Sequence, residues 1–248
     1  MSISIKGNEQ INYMRAAGRI LAELDTVLRN EIRPGVSTIE LDRIAEDFIK
    51  SKNAVASFKG YNGFPGSICT SINEQVIHCI PGKRKLKNGD IISIDMGSFI
   101  DGFHGDCART YTVGEVSVEL TTLIEVTKQS FFEGIRFAKA GYHLNEISSA
   151  IQQFVEKHGY GVVRDYVGHG IGRALHEDPA VPNYRQKMRG PRLVKGMTLA
   201  IEPMVNMGTW KVDVLSDGWT VVTSDGLPSA HYENTILITD GEPEILTI

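Results

Sequence analysis

The sequence predicts an α+β fold in which two similar halves place helices over one face of a curved antiparallel sheet. Three observations predict it. An amphipathic helix pair occurs twice, a β-hairpin follows each pair, and both hairpins carry acidic residues at matching positions. The second copy begins 106 positions after the first, since Gly35 aligns with Gly141. We therefore expect a single domain over 1–248, with pseudo-two-fold halves of about 8–113 and 114–248.

The helix pairs are predicted from apolar residues at helical spacing. The first pair is expected over 8–31 and then, from the capping-box pattern Ser37-Thr-Ile-Glu40, to about Lys52. The second pair is expected over 117–139 and 145–158. Because the helices are expected to cover one face of the sheet, we place a site on the other face, where the halves meet.

The first hairpin lies between Leu86 and Val113. An isoleucine-rich run, the turn dipeptide Asp101-Gly102 and a second strand from Phe103 predict it. Asp95 and Asp106 interrupt the strands, and a short hairpin brings such positions across from each other. Two close carboxylates repel unless a proton or a cation lies between them. This hairpin alone leaves open the alternative of two solvated aspartates.

The second hairpin repeats this feature. Aligning the loops before the two hairpins places Glu202 on Asp95, and aligning the returning strands places Glu233 on Asp106. Four carboxylates that converge between two halves carry four negative charges, which about two divalent cations would neutralise. The duplication therefore favours a metal site over four solvated acids.

Composition limits the classes of partner. The formal net charge of −4 and the pI near 6.0 argue against non-specific binding to nucleic acid or to an anionic membrane. No apolar run approaches the ~18 residues of a membrane span. Cys69, Cys79 and Cys107 form no CxxC motif, which favours a reduced, cytoplasmic setting. A monomer is the default expectation.

The histidines differ in what their surroundings indicate. His169 lies between two glycines, which leave its imidazole uncrowded and predict a metal ligand. His78 and His176 lie in apolar, strand-like segments near turns, where function and core packing are both open. His104 and His231 each precede an acid by two positions. Two interpretations are open: each is the hydrogen-bond partner of a metal-binding carboxylate, or each simply forms a buried hydrogen bond.

Oxygen ligands with one imidazole suit Mn(II), Fe(II), Co(II) or Zn(II). No H-E-x-x-H motif is present, which argues against a zinc protease with helix-borne ligands. Two ions that share carboxylates can activate a water molecule and polarise a carbonyl or phosphoryl oxygen. Hydrolysis is therefore the expected reaction class, with amides and phosphate esters both open.

At this point the motifs resemble those of a known family, the type I methionine aminopeptidases. The matching positions are Asp95, Asp106, His169 in Gly168-His-Gly-Ile-Gly172, Glu202 in Ala200-Ile-Glu-Pro203, and Glu233 in His231-Tyr-Glu-Asn-Thr235. The resemblance covers almost the whole chain and is closest to the short bacterial form. It implies the "pita-bread" fold and removal of the N-terminal methionine from nascent proteins, with preference for a small second residue.

The resemblance also implies a set of roles. Asp106 and Glu233 would bridge two metal ions, Asp95 would chelate one, and His169 with Glu202 would complete the other. A bridging hydroxide would attack the first peptide carbonyl, with Glu202 as general base. The ions would be divalent Co, Mn, Fe or Zn.

Substrate contacts follow from the same resemblance. His78 and His176 would assist the scissile peptide and the tetrahedral intermediate. The methionine pocket would be formed by apolar and polarizable side chains: Tyr61, Phe64, Cys69 and Trp219. Trp219 lies in the additional segment of the second hairpin, around Lys211–Ser224. Phe58 and Leu175 occupy positions at the pocket edge where some relatives carry other residues.

Three alternatives remain at this level. A prolidase or aminopeptidase P shares the same five ligands, but normally carries a large extra N-terminal domain. A catalytically inactive relative would bind RNA or chromatin partners, and would be expected to lose ligands. A phosphoesterase would need Lys or Arg near the carboxylates, where only Arg109 is close. The expected partners are N-terminal methionine peptides, near the ribosome, with no nucleic acid and no membrane.

Overall fold

The computed structural model describes residues 2–248 and contains the two predicted helix pairs. The helices are α1 (Asn8–Glu31), α2 (Thr38–Ser51), α3 (Val118–Ile135) and α4 (Leu144–Lys157). None of the helices among these residues is long and apolar enough to cross a membrane. The predicted capping box begins α2, where Glu40 Oε2 accepts the Ser37 backbone N–H at 2.7 Å.

Helix α3 ends four residues before the predicted end at Lys139. The backbone N–H groups of Phe137 and Ala138 bond to carbonyls three residues back, which tightens and ends the last turn. The N–H of Ala140 then bonds to the carbonyl of Thr239. The prediction was wrong here because a distant segment, rather than local helical spacing, determines the end of the helix.

Within residues 2–248, five strands follow the first helix pair and ten follow the second. They are β1 (Val55–Ala56), β2 (Ile68–Ile72), β3 (Gln75–Ile77), β4 (Ile91–Ile100), β5 (Phe103–Thr112), β6 (Gly161–Val162), β7 (Gly168–Gly170), β8 (Glu177–Val181), β9 (Thr198–Ile201), β10 (Met204–Asn206), β11 (Val212–Val214), β12 (Val221–Thr223), β13 (Ser229–His231), β14 (Asn234–Leu237) and β15 (Glu244–Ile245). They pair antiparallel in four hydrogen-bonded groups: β1-β4-β2 with β5 on β4, β13-β10-β6, β11-β12-β3, and β15-β14-β9-β7-β8.

The first hairpin consists of β4 and β5. Its turn residues Asp101 and Gly102 have φ of 52° and 81°, the left-handed values that a tight two-residue hairpin turn requires. Asp95 pairs with Ala108, and Gly97 pairs with Asp106. The two acids are therefore diagonal neighbours on one face of the hairpin, offset by two residues, instead of directly opposite as expected.

The second hairpin pairs β9 with β14. Ile201 lies opposite Asn234, so one further step of the same register places Glu202 opposite Glu233. The additional segment within this hairpin forms β11 and β12, and β12 pairs with β3 of the first half through Val221 and Ile77.

Each helix pair covers its own sheet with a separate apolar cluster. One cluster joins α1 and α2 to β2, β4 and β5, and includes Leu24, Leu41 and Ile94. The other joins α3 and α4 to β9, β10 and β14, and includes Phe131 and Ile151. Burying these helix faces leaves the opposite sheet faces to line a cavity between the halves.

Hydrogen bonds join the halves directly beside the acids. The backbone N–H of Asp106 donates to Thr235 Oγ1 at 3.0 Å, and that hydroxyl donates back to the Asp106 carbonyl at 2.9 Å. The N–H of Glu233 donates to the Ala108 carbonyl at 3.0 Å. Strand β5, which carries Asp106, and the start of β14, which Glu233 immediately precedes, are thus held together.

Candidate metal and substrate site

A single cavity of about 350 Å³ contains every residue that the sequence placed in the site. Its lining includes the acids and the imidazole predicted to bind metal, the two other candidate histidines, and the predicted pocket wall: Asp95, Asp106, His169, Glu202, Glu233, His78, His176, Tyr61, Phe64, Cys69 and Trp219. Both halves contribute to it. The arrangement therefore gathers side chains that are up to 172 positions apart, from Tyr61 to Glu233.

Three of these residues already have the geometry of a metal site. Asp106, His169 and Glu233 are buried, and one ligand atom of each lies within 4.8 Å of the others. His169 Nε2 lies 3.8 Å from Asp106 Oδ2 and 3.6 Å from Glu202 Oε1. A cation among these atoms would be within reach of the carboxylates of Asp106 and Glu202 and of the imidazole of His169.

The orientation of His169 has a local cause. Its Nδ1 lies 2.9 Å from the Gly170 carbonyl and donates to it, which leaves Nε2 free to face the carboxylates. A Cβ on Gly168 would lie 2.3 Å from the Ala200 carbonyl oxygen, and one on Gly170 would lie 2.2 Å from the Asp178 carbonyl oxygen. The flanking glycines therefore permit the close backbone approach that brings the imidazole into the cavity.

Several carboxylate oxygens in the cavity have no donor. Within residues 2–248, Asp95 Oδ1, Asp106 Oδ1 and Glu233 Oε1 are buried and accept no hydrogen bond. A buried acceptor without a partner costs free energy, and a charged one costs more. Divalent cations would satisfy these atoms, so the donor set fits a metal.

The pKa values of the acids reflect the same burial of carboxylates without a counter-charge. Burial raises the pKa of Asp95 to about 7. Burial, followed by the charges of Glu233 and Asp95, raises the pKa of Asp106 well above its usual range. Burial raises the pKa of Glu202 and of Glu233 in the same way, with the neighbouring carboxylates adding to it. Without a cation, these groups favour protonation.

The imidazole of His169, in contrast, favours its unprotonated form. Burial, and then the nearby imidazole of His176, lowers the pKa of His169 to about 3, so that it is neutral at physiological pH. A neutral imidazole has the free lone pair that a metal ligand needs. The donor set at neutral pH is therefore an unprotonated nitrogen among carboxylates that lack a counter-charge.

His78 and His176 flank the metal donors. His176 Nδ1 lies 2.9 Å from the Tyr61 hydroxyl, and its ring centroid lies 4.1 Å from that of His169. His78 has a left-handed backbone, with φ of 59°, and contacts the ring of Tyr166 edge-on at 5.5 Å. A non-glycine residue in this conformation is uncommon, and residues with such strained backbones are enriched at functional sites.

The remaining wall of the cavity is apolar and aromatic. Phe64 and Trp219 meet edge to face with their ring centroids 5.1 Å apart. Burial raises the pKa of the Cys69 thiol well above its usual range, so it stays neutral beside them. Phe58 and Leu175 also line the cavity. A neutral thiol and aromatic rings suit an unbranched thioether side chain.

Sequence reasoning missed four lining residues: Asn62, Ile77, Tyr166 and Val167. Asn62 and Ile77 are near neighbours in sequence of the predicted Tyr61 and His78, which was the available signal. Tyr166 and Val167 immediately precede the Gly-His-Gly motif, but no periodicity marks them. Their place in the cavity results from the approach of the two halves.

His104, His231 and Arg109 lie outside this lining. His104 Nδ1 lies 2.9 Å from Ser57 Oγ, a simple hydrogen bond. His231 Nε2 lies 4.0 Å from the nearest carboxylate oxygens of Glu202 and Glu233, behind the metal donors. Arg109 donates through Nη1 and Nη2 to the carbonyls of Ala108, Glu233 and Thr247 and to the Asn234 side chain, so these two nitrogens are already bound within the protein.

A second cavity of about 630 Å³ lies between α1 and α3, on the helical side of the molecule. Its charged lining is of mixed sign and includes Asp25, Arg29, Glu125 and Lys128. None of the predicted ligands, the two other cavity histidines or the predicted pocket residues lines it, although Arg109 and His231 do. We place the site in the smaller cavity, because the buried carboxylate oxygens without partners are there.

Comparison with known proteins agrees with this geometry. A sequence model of metallopeptidase family M24 matches residues 12–240. The chain is 59% identical over 247 residues to a methionine aminopeptidase of Clostridium acetobutylicum, and the match covers 99% of each protein. It is 54% identical over 245 residues to methionine aminopeptidase 1 of Bacillus subtilis, again covering 99% of each.

A solved structure gives the same result for the fold. The methionine aminopeptidase from Rickettsia prowazekii superposes with a TM-score of 0.98 at 43% identity, covering 100% of both chains. The predicted pita-bread architecture and the resemblance to type I methionine aminopeptidases are confirmed. The chain belongs to metallopeptidase family M24.

Proposed function

We propose that this chain is a metal-dependent methionyl aminopeptidase that removes the N-terminal methionine from nascent proteins with a small second residue. The observation that carries the proposal is one cavity in which partner-less carboxylates and a neutral imidazole face an apolar, aromatic wall. The relatives of highest identity named above are methionine aminopeptidases.

For the metal centre, we assign the five predicted ligands to two divalent ions of Co, Mn, Fe or Zn. Asp106 and Glu233 would be shared between the ions, Asp95 would hold one, and His169 with Glu202 would hold the other. Two such ions supply Lewis acidity and lower the pKa of water in the cavity. The donor-free oxygens of Asp95, Asp106 and Glu233 support this assignment.

Glu202 is assigned as the general base. Its carboxylate lies 3.6 Å from His169 Nε2, at the centre of the donor set, and burial raises its pKa. A carboxylate with a raised pKa accepts a proton more readily near neutral pH than an exposed one does. Glu202 would take the proton of the attacking water and deliver it to the departing amine.

His176 and His78 are assigned to the scissile peptide. His176 is held through Nδ1 by the Tyr61 hydroxyl, so its Nε2 is available to the substrate. Burial, and then His176, lowers the pKa of His78 to about 4, so His78 acts as a neutral hydrogen-bonding group. Such fixed donors stabilise charge that develops on the carbonyl oxygen.

The methionine side chain would occupy the wall formed by Tyr61, Phe64, Cys69 and Trp219. Sulfur–aromatic contacts and the polarizable Cys69 thiol favour a thioether over a charged side chain. The free α-amine of the substrate would bind near the ion held by Asp95, which is why only the terminal residue would be removed.

The setting of the activity is part of the proposal. We propose a single catalytic domain, because both halves line the cavity. A monomer in the cytoplasm, close to the ribosome and acting on emerging N-termini, fits buried free thiols and a net charge of −4, with neither nucleic acid nor membrane as a partner.

The first experiment measures methionine release from Met-Gly-Met-Met and proline-directed cleavage of Gly-Pro-Met. Enzyme stripped with EDTA is assayed before and after addition of Co(II) or Mn(II). Metal-restored cleavage of the first peptide alone supports the proposal. Cleavage before proline would move the chain to the prolidase and aminopeptidase P branch. Bound metal with no cleavage of either peptide would indicate an inactive binding protein.

A further inference from the structure

Lys6 is a buried cation outside the site described above. Its side chain is only 3% exposed, and its Nζ lies 2.6 Å from Glu177 Oε2. Its second contact is weaker, with the Ser4 carbonyl at 3.4 Å. A buried ammonium without a carboxylate would carry a large desolvation penalty, so this pair is held closed.

The backbone of Lys6 is fixed as well. Its N–H donates to the Gly196 carbonyl at 2.8 Å, just before β9 begins. The segment that precedes α1 therefore crosses to the second half of the molecule and delivers the lysine to Glu177, 171 positions later. Strand β9 leads directly to Glu202, so the anchor is on the framework of the site.

Glu177 connects Lys6 to the loop between β7 and β8. Its other oxygen, Oε1, accepts the Ala174 N–H at 3.2 Å. Gly172 completes the turn, with its N–H donating to the Ala174 carbonyl at 3.1 Å. A Cβ on Gly172 would lie 2.6 Å from both Glu177 Oε1 and Lys6 Cε, so the ion pair occupies the space of a side chain.

This loop carries His176 between a buried anchor and the ion pair. Leu175, 2% exposed, packs in an apolar cluster, whereas Arg173 and Ala174 are exposed. The His176 imidazole itself lies at the exposed rim of the cavity, with one side-chain hydrogen bond to Tyr61. The direction of this side chain therefore depends on the path of the loop at Glu177.

We infer that the Lys6–Glu177 ion pair positions His176 toward the cavity. The inference rests on the proposed function in that His176 is taken to contact the peptide. Neither Lys6 nor Glu177 lines the cavity, so both act through the loop. The pair is a positioning pair for the reaction, supplied by the segment before the first helix.

The test is a double-mutant cycle between Lys6→Met and His176→Ala, assayed with Met-Gly-Met-Met and saturating Mn(II). We expect Lys6→Met to lower kcat by about 10- to 100-fold, since misplacing a catalytic group by ~1 Å has such an effect. KM and the stoichiometry of Mn(II) binding should stay nearly unchanged. In the His176→Ala background, Lys6→Met should lower kcat less than about twofold, because coupled residues are not additive.

Two variants serve as controls. Lys6→Arg keeps the cation and should retain most of the activity. Arg15→Met removes another 2.6 Å ion pair, with Glu244, whose side chains are both 38% exposed, and should leave kcat unchanged. The double variant Lys6→Met with Glu177→Gln leaves no buried charge unpaired, and replaces Lys6→Met if that variant does not fold.

The outcomes separate this inference from the proposed function. A loss of the same size in the His176→Ala background, or a fully active Lys6→Met enzyme, would overturn the positioning role alone. Failure of the wild-type chain to release methionine would overturn the proposed function. NMR of ¹⁵N-histidine-labelled protein still decides the positioning role in that case: Lys6→Met should shift the ring signals of His176 and leave those of His143 in place.

Discussion

The Nε2 atom of His169 lies 3.6 Å from Oε1 of Glu202, although His169 lies on β7 and Glu202 immediately follows β9 of the same sheet. Strand β7 pairs with β9, with His169 opposite Ala200, so the imidazole and the carboxylate project into the same cavity. The pairing explains how a Gly-His-Gly motif and an Ile-Glu-Pro motif become one donor set.

Replacing Glu202 should abolish turnover. Glu202→Ala removes both a ligand and the proposed base, and loss of general base catalysis alone costs about 10²- to 10⁴-fold in rate. The measurement is kcat on Met-Gly-Met-Met with excess Mn(II). The exposed Glu115→Ala is the matched control and should keep wild-type activity. Near-normal turnover by Glu202→Ala would refute both assigned roles.

Replacing His176 should affect the chemical step without loss of metal. His176→Ala removes one hydrogen-bonding group at the peptide carbonyl, for which we expect a 10²- to 10³-fold lower kcat. Isothermal titration with Mn(II) should give the wild-type stoichiometry. Loss of a bound ion in this variant would instead make His176 a ligand.

Replacing Trp219 should weaken substrate binding. Trp219→Leu removes the ring that meets Phe64 at 5.1 Å, and we expect KM for Met-Gly-Met-Met to rise about 10-fold, equivalent to ~1.4 kcal/mol. Trp210→Leu is the control, since Trp210 stacks under Arg164 at 4.7 Å outside the cavity. Equal effects of the two substitutions would argue against Trp219 as a pocket residue.

The metal-free protein should lose stability as pH rises above neutrality. Burial raises the pKa of Asp95 to about 7, so folded protein binds more protons than unfolded protein between about pH 4 and pH 7 or above, and stability falls with pH in that range. The buried histidines, with pKa of His169 about 3, act in the opposite direction only up to about pH 6.5.

Thermal unfolding of dialysed, metal-free protein at about pH 7.0, 7.5 and 8.0 measures this effect, because in that range the histidines of the unfolded protein are mostly neutral and its thiols, whose pKa values burial also raises in the folded protein, are mostly still protonated. The midpoint should fall with rising pH. Added Mn(II) should raise the midpoint and remove the slope, since ligand binding to the folded state stabilises it. A slope that persists with bound Mn(II) would contradict the assignment of these acids as ligands.

The fold could be predicted where local signals and the duplication agree. The capping box at Ser37 and Glu40, and the apolar faces of the helices, placed all four helices. The end of α3 was missed because the backbone there bonds to the carbonyl of Thr239, which is far away in sequence. Local patterns report propensity and cannot report which remote backbone group competes with the helix.

The site could be predicted because its donors are polar residues at positions that should be apolar. Asp95 and Glu202 are conspicuous for that reason. Tyr166 and Lys6 are not, since a tyrosine before a turn and a lysine near a chain end are ordinary features of a surface. Their places in the structure follow from contacts between halves, which no spacing rule encodes.

The hairpin formed by β11 and β12 is an addition to the repeat, present in the second half only, and β12 pairs with β3 across the halves. It supplies Trp219, whereas the five assigned ligands lie on elements that the hairpin does not form. This side of the cavity wall is therefore built separately from the assigned ligands, unlike Cys69, which lies on β2 directly opposite Asp95. Sequence changes between β11 and β12 can therefore alter one side of the cavity while the strands around the five assigned ligands stay intact.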